Sequence, residues 1–181
     1  LERWVEEAAA AGCPRPRAMA LATAGDDWPS LRTVSLKRLE ADALIFTTAL
    51  WTRKAREIAE DPAVALLFHW PELGRQAQVI GTADAAERAL AVELFAARDR
   101  DHQLQTVVSR QGETITDLEQ LRKRRGRLAD LGTPLPCPDD WGAIRVRPRT
   151  IELMQEADDR LHERRLFERT GEGWTVALLS P

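Results

Sequence analysis

The chain of 181 residues contains no tyrosine, so no phenol hydroxyl is available to any site. Its two cysteines, Cys13 and Cys137, lie too far apart in sequence to form a metal-ligand or redox motif. His69 and His102 have no partner at metal-ligand spacing, so no metal site is expected. There is no apolar run long enough for a membrane helix and no signal-peptide pattern, and the expectation is a soluble cytoplasmic protein with no membrane partner. Neither a Gly-rich dinucleotide fingerprint nor a P-loop is present, and no Ser/His/Asp or Cys/His order stands out. Excess positive charge is missing too: the formal net charge is −3, which argues against nucleic-acid binding. The most basic run, Arg122-Lys123-Arg124-Arg125 with Arg127, falls among Leu118, Leu121, Leu128 and Leu131 at core-like spacing, so its charges should face water.

Apolar residues make up 44% of the chain, enough for the core of one domain spanning 1–181. Residues 2–11 read as a helix stopped by Gly12, Pro14 and Pro16, and Ala18 to Thr23 as a strand ending in a turn at Gly25-Asp26-Asp27. Leu31 to Leu39 reads as a strand with Arg32, Val34 and Leu36 on one face and Leu31, Thr33, Ser35 and Lys37 on the other. Neither face is cleanly apolar, which suits a strand that presents residues to a ligand or partner. Ala43–Thr48 is a third strand, Thr52–Glu60 a short helix, and Ala63–Trp70 and Gln76–Ala83 a strand pair around Pro71-Glu72-Leu73-Gly74. Residues 85–97 form an amphipathic helix, and Thr116-Asp117-Leu118-Glu119 is a capping box opening a helix to about Asp130. Strand-like runs return at Gly142–Val146, Thr150–Met154, Leu166–Arg169 and Trp174–Leu178. Many short strands with a few helices predict a mainly β protein, an antiparallel barrel with helices flanking it.

The segment Phe46-Thr47-Thr48-Ala49-Leu50-Trp51-Thr52-Arg53-Lys54 carries the most chemistry. A strand ends in hydroxyls and a helix opens with two cations, so unpaired helix N–H groups, Thr donors, an Arg fork and a Lys point charge converge as in a phosphate grip. The plainer alternative is a capped helix with two solvated cations. Four basic clusters recur at element edges: Arg32 with Lys37, Arg53 with Lys54, Arg98 with Arg100, and Arg160 with Arg164. In Arg160-Leu161-His162-Glu163-Arg164, an extended backbone would put Arg160, His162 and Arg164 on one face. Flanking positive charge should keep His162 neutral and able to accept a hydrogen bond. The alternative there is a solvated edge strand. The tryptophans read as core or interface, although Trp51 beside the grip is placed to cover a flat ring.

Taken in order, these clusters resemble the pyridoxine/pyridoxamine 5′-phosphate oxidase family, flavoenzymes built on a split β-barrel. The resemblance spans nearly the whole chain. It is carried by Arg32-Thr33-Val34-Ser35-Leu36-Lys37, Phe46-Thr47-Thr48 with Arg53-Lys54, Trp70 with Arg75-Gln76, Val108-Ser109-Arg110-Gln111, and Arg160 to Arg164. It implies a Greek-key antiparallel barrel and a homodimer with two FMN sites at the subunit interface. By position, Arg32, Thr33, Val34, Ser35, Leu36, Lys37, Thr47, Thr48, Arg53, Lys54 and Gln76 would hold FMN from one subunit, and Gln111 and Arg164 from the other. Substrate would meet Lys37, Leu94, Arg98, His102, Met154, Arg160 and His162, with Arg160 and His162 the catalytic pair over the reacting carbon. The implied reaction is hydride transfer to flavin N5, with O2 reoxidising the flavin.

Departures from the family pattern bear on substrate. Leu94 and His102 stand where the family binds substrate phosphate with a Tyr and a Ser, at roughly 1.5–3 kcal/mol per lost bond to a charged group. Met154 replaces a Trp near the flavin, and Gly112 a Ser. This pattern resembles the phenazine-pathway branch, which oxidises a reduced, unphosphorylated multi-ring substrate, and a specialised oxidase of that type is the expectation. Lys37 and Arg98 pull the other way, toward the housekeeping vitamin B6 oxidase. A non-catalytic flavin-binding module is the third alternative.

Overall fold

The computed structural model describes residues 1–25 and 28–181, so the turn expected at Gly25-Asp26-Asp27 falls partly outside the described residues. In chain order the elements are α1 (Glu2–Ala10), β1 (Ala18–Thr23), β2 (Ser30–Ser35), β3 (Arg38–Leu39), β4 (Leu44–Ala49), α2 (Arg53–Glu60), β5 (Ala63–Trp70), β6 (Arg75–Ala85), α3 (Arg88–Ala96), α4 (Arg100–Val108), α5 (Leu118–Asp130), β7 (Trp141–Gln155), β8 (Glu163–Thr170) and β9 (Gly173–Leu179). All strand pairings are antiparallel, in the order β2-β1-β5-β6-β7-β4-β3, with β8 added to β7 and β9 to β8. The expected single strand over Leu31–Leu39 is broken at Leu36 and Lys37. Its first part pairs with β1 and its second with β4, so this bent segment closes the sheet into a barrel.

Period-two burial explains the walls. On β1, Met19, Leu21 and Thr23 are buried; on β5, Val64, Leu66, Phe68 and Trp70. These side chains fill the barrel with Phe46, Ala77 and Val79. On β4, Leu44, Ile45 and Phe46 are all buried, because its outer face is covered by Leu90 and Phe95 of α3 and by Trp141 at the start of β7.

Two expected strands, Gly142–Val146 and Thr150–Met154, are one strand of 15 residues. Pro148 lies between the two runs. It is accommodated at a register shift opposite Gly81, where the backbones come so close that a Cβ on Gly81 would collide with the carbonyl of Arg147. Helix α4 lacks a clear apolar stripe in sequence, with Leu104 and Val108 its buried residues. The expected capping box is replaced by Asp117, whose Oδ1 accepts from the N–H groups of Glu119 and Gln120. The leucines of α5 are not core: Leu118 and Leu131 are exposed, and no residue of that helix is buried.

Candidate active site

The strand-to-helix passage from β4 into α2 brings hydroxyls and cations together. Thr52 caps the helix, and its Oγ1 donates to the Ala49 carbonyl at 2.7 Å and sits 3.1 Å from Thr48 Oγ1. Successive helical residues point about 100° apart, so the Arg-Lys pair divides: Arg53 reaches outward while Lys54 is buried. Lys54 Nζ donates to Thr48 Oγ1 at 3.2 Å and to Gln111 Oε1 at 3.4 Å, with no carboxylate beside it among the described residues. Burial first, and then the charge of Arg32, hold its ammonium below the ordinary lysine value. Thr47 Oγ1 is buried without a hydrogen-bond partner among the described residues. A buried cation lacking a counter-ion and, on the adjoining strand residue, an orphaned hydroxyl are each suited to an anionic group.

On β2 and the two residues after it, Val34 and Leu36 point into the core, so they can meet a ligand only through the backbone, whereas Thr33, Ser35 and Lys37 point out. Arg32 is tied to protein: Nη1 donates to Leu21 O and Thr23 Oγ1, and Nη2 to Ser30 and Glu57. Glu57 escapes the sequence reading. Its only sequence signal is the four-residue spacing from Arg53, whose Nε donates to it at 2.6 Å. Trp51 is covered by Arg110, 4.4 Å from the ring centroid.

A second group forms at the far end of β7. Gln76 and Arg164 both lie opposite Met154, so β6, β7 and β8 place the three side by side. Arg164 Nε donates to Glu152 at 2.7 Å. Within one chain, Gln76 lies beside Arg164, and Gln111 beside Lys54. Thr48 lies opposite Gly142 and Gln76 opposite Met154, twelve positions further along β7. That is up to ~40 Å measured along the strand.

The Arg160–Arg164 motif is not fully extended. Arg160 has a left-handed backbone (φ 67°) in the turn before β8, and the strand begins at Glu163. His162 folds back so that its Nδ1 accepts from the N–H of Ala157 at 3.1 Å. With Nδ1 accepting, Nε2 is left to donate, so the expected acceptor is a donor.

The third group is cationic. Lys37 is held below its ordinary value by burial first, then by Arg98 and Arg17, against Asp99. Burial also lowers Arg98, whose Nε is buried without a partner among the described residues and whose guanidinium lies 5.1 Å from the Trp141 ring centroid. His102 is not isolated: its ring Nδ1 is 2.5 Å from Asp99 Oδ2, and its N–H donates to Asp99 Oδ1 at 2.9 Å. Leu94 packs against the cluster beneath α3.

A family model described as pyridoxamine 5′-phosphate oxidase matches residues 5–127, and one for the pyridoxine 5′-phosphate oxidase C-terminal dimerisation region matches residues 141–181. The chain belongs to the pyridoxamine 5′-phosphate oxidase family. Members of this family are FMN-dependent oxidases, and this chain is one. It is 45% identical to the pyridoxine/pyridoxamine 5′-phosphate oxidase of Rubrobacter xylanophilus, over 99% of this chain and 84% of the relative. Its identity to that of Sphingopyxis alaskensis is 42%, over 99% and 85%. Among solved structures, PhzG from Burkholderia lata 383, in complex with tetrahydrophenazine-1-carboxylic acid, superposes with a TM-score of 0.94 at 32% identity, covering 99% of this chain and 90% of that one. The barrel is the split barrel of this oxidase family, and β7 to β9 are its C-terminal dimerisation region.

Proposed function

We propose that residues 1–181 act as one oxidase domain in a homodimer, and that the substrate is pyridoxine or pyridoxamine 5′-phosphate. The observation that carries the substrate reading is the pairing of Lys37 with Arg98, two partly desolvated cations within each other's field that a phosphate dianion would satisfy. His102, fixed by Asp99, offers a ring nitrogen in place of the family's hydroxyl. FMN would be gripped at its phosphate by Thr47, Thr48, Arg53 and Lys54 of one protomer. Gln76, Met154 and Arg164, which strand register sets side by side, would come together from the other.

FMN, when bound, supplies a two-electron acceptor that takes hydride at N5 and passes the electrons to O2, giving hydrogen peroxide. The protein's part is orientation. Lys37 and Arg98 anchor the substrate anion, and Arg160 and the Nε2–H of His162 hold the substrate's polar atoms so that the reacting C–H faces the flavin. The backbone of Ala157 keeps that tautomer in place.

A second reading is a specialised oxidase taking a reduced, carboxylated phenazine-type ring. It is favoured by Leu94 and Met154, which offer an apolar, adaptable wall where the family has Tyr and Trp. The test is anaerobic addition of pyridoxine 5′-phosphate to the FMN-loaded protein. Rapid bleaching of the flavin is the expected result. A flavin bleached only by a dihydrophenazine carboxylate would select the second reading, and a protein that does not retain FMN would overturn both.

A further inference from the structure

Glu57 is a buried carboxylate, 5% exposed, placed one turn beyond Arg53 on α2. Its Oε1 accepts from Arg53 Nε at 2.6 Å. Its Oε2 accepts from Thr23 and Ser30 at 2.5 Å each and from Arg32 Nη2 at 3.2 Å. The backbone makes room for it at Gly25, where a Cβ would stand 3.0 Å from Oε1. Arg32 arrives from β2 and Arg53 from α2, and Glu57 bonds both.

We infer that Glu57 is a positioning residue for the flavin phosphate, acting through Arg53 and Arg32 rather than by touching the ligand. The inference rests on the FMN reading above. A carboxylate near an anion site acts in two opposed ways: its charge repels the anion, and its hydrogen bonds remove the freedom of the cations that hold it. Here ordering outweighs repulsion. The carboxylate is spread over four donors and neutralised by two guanidiniums, so little of its field reaches the ligand. The Arg53 side chain is 63% exposed, and among the described residues Glu57 is its hydrogen-bond partner. Without Glu57, Arg53 regains rotamers that FMN binding must then freeze. With Lys54, three cations and one carboxylate leave two net positive charges to meet a phosphate of nearly two negative ones.

The experiment is a titration of apoprotein with FMN, followed by flavin fluorescence, for the parent, E57Q, R53A and the double variant. Apoprotein melting temperatures are recorded on the same samples. E57Q should weaken FMN binding about tenfold, because an amide cannot accept from both arginines. The same change should have little further effect in the R53A background, which a purely structural role would not produce. Parent-like or tighter binding by E57Q, or strictly additive losses, would overturn the inference while leaving the FMN reading standing. A parent that fails to bind FMN would overturn both. Should E57Q not fold, S30A removes one bond to Oε2 without changing charge and should loosen FMN about threefold; unchanged affinity there would also overturn the inference.

Discussion

At the scale of single residues, Lys54 shows stability yielding to function. The residue is 6% exposed and its ammonium is held by uncharged oxygens, so the apoprotein carries a desolvated charge that no carboxylate offsets among the described residues. K54M should therefore leave the apoprotein melting temperature unchanged or higher, while FMN affinity falls at least tenfold. Thermal scans and flavin titration on one preparation read both quantities, and a lower melting temperature with parent-like affinity would contradict the account. The helix-opening Arg-Lys pair was legible in the sequence, but its division into one outward and one buried side chain required the packing of α2. The hydrogen-bond role of His162 was not legible in the sequence, because it depends on a backbone N–H five residues back.

At the scale of elements, α2 is joined to β1 and β2 largely by polar groups, and Glu57 is their centre. Burial alone would push its carboxyl up. Hydrogen bonds from Ser30, Thr23 and Arg53, with the charge of Arg53, outweigh burial and bring it down to about 2 from an ordinary 4.5. A carboxyl depressed on folding adds stability above its unfolded value, and that stability is lost as pH falls through the folded one. The melting temperature should therefore fall between about pH 4.5 and pH 2, and in E57Q the slope across that window should be shallower. Equal slopes would mean that other carboxyls carry the acid sensitivity. Helices α4 and α5 were the harder elements to read. One buries too few apolar residues for a stripe, and the other has leucines at core spacing that the protomer leaves exposed.

At the scale of the whole molecule, the phosphate grip and the group of Gln76, Met154 and Arg164 sit at different positions along the long strand β7, and the flavin site proposed above draws on two chains. The dimerisation region carries an exposed apolar row on β9, with Trp174 42%, Val176 59% and Leu178 73% exposed, as expected of a face covered by a partner. L178D places a charge in that row. Sedimentation velocity should show a shift from dimer to monomer, with FMN affinity falling in parallel. A monomer that kept parent-like affinity would place the entire flavin site in one chain.

The sequence by itself determined the local chemistry: period-two burial along β1 and β5, a helix opening on Thr, Arg and Lys, and motifs specific enough to indicate the family. Such signals are short-range, because strand alternation and helix caps depend on residues a few positions apart. Only the tertiary structure decided which residues lie together. Gln76, Met154 and Arg164 meet through strand register across nearly ninety residues, and Gln111 meets Lys54 through the placement of the α4–α5 segment. The continuity of β7 past Pro148 likewise depends on Gly81 in a different strand. Long-range register is set by how the whole core packs, and no window of sequence contains it.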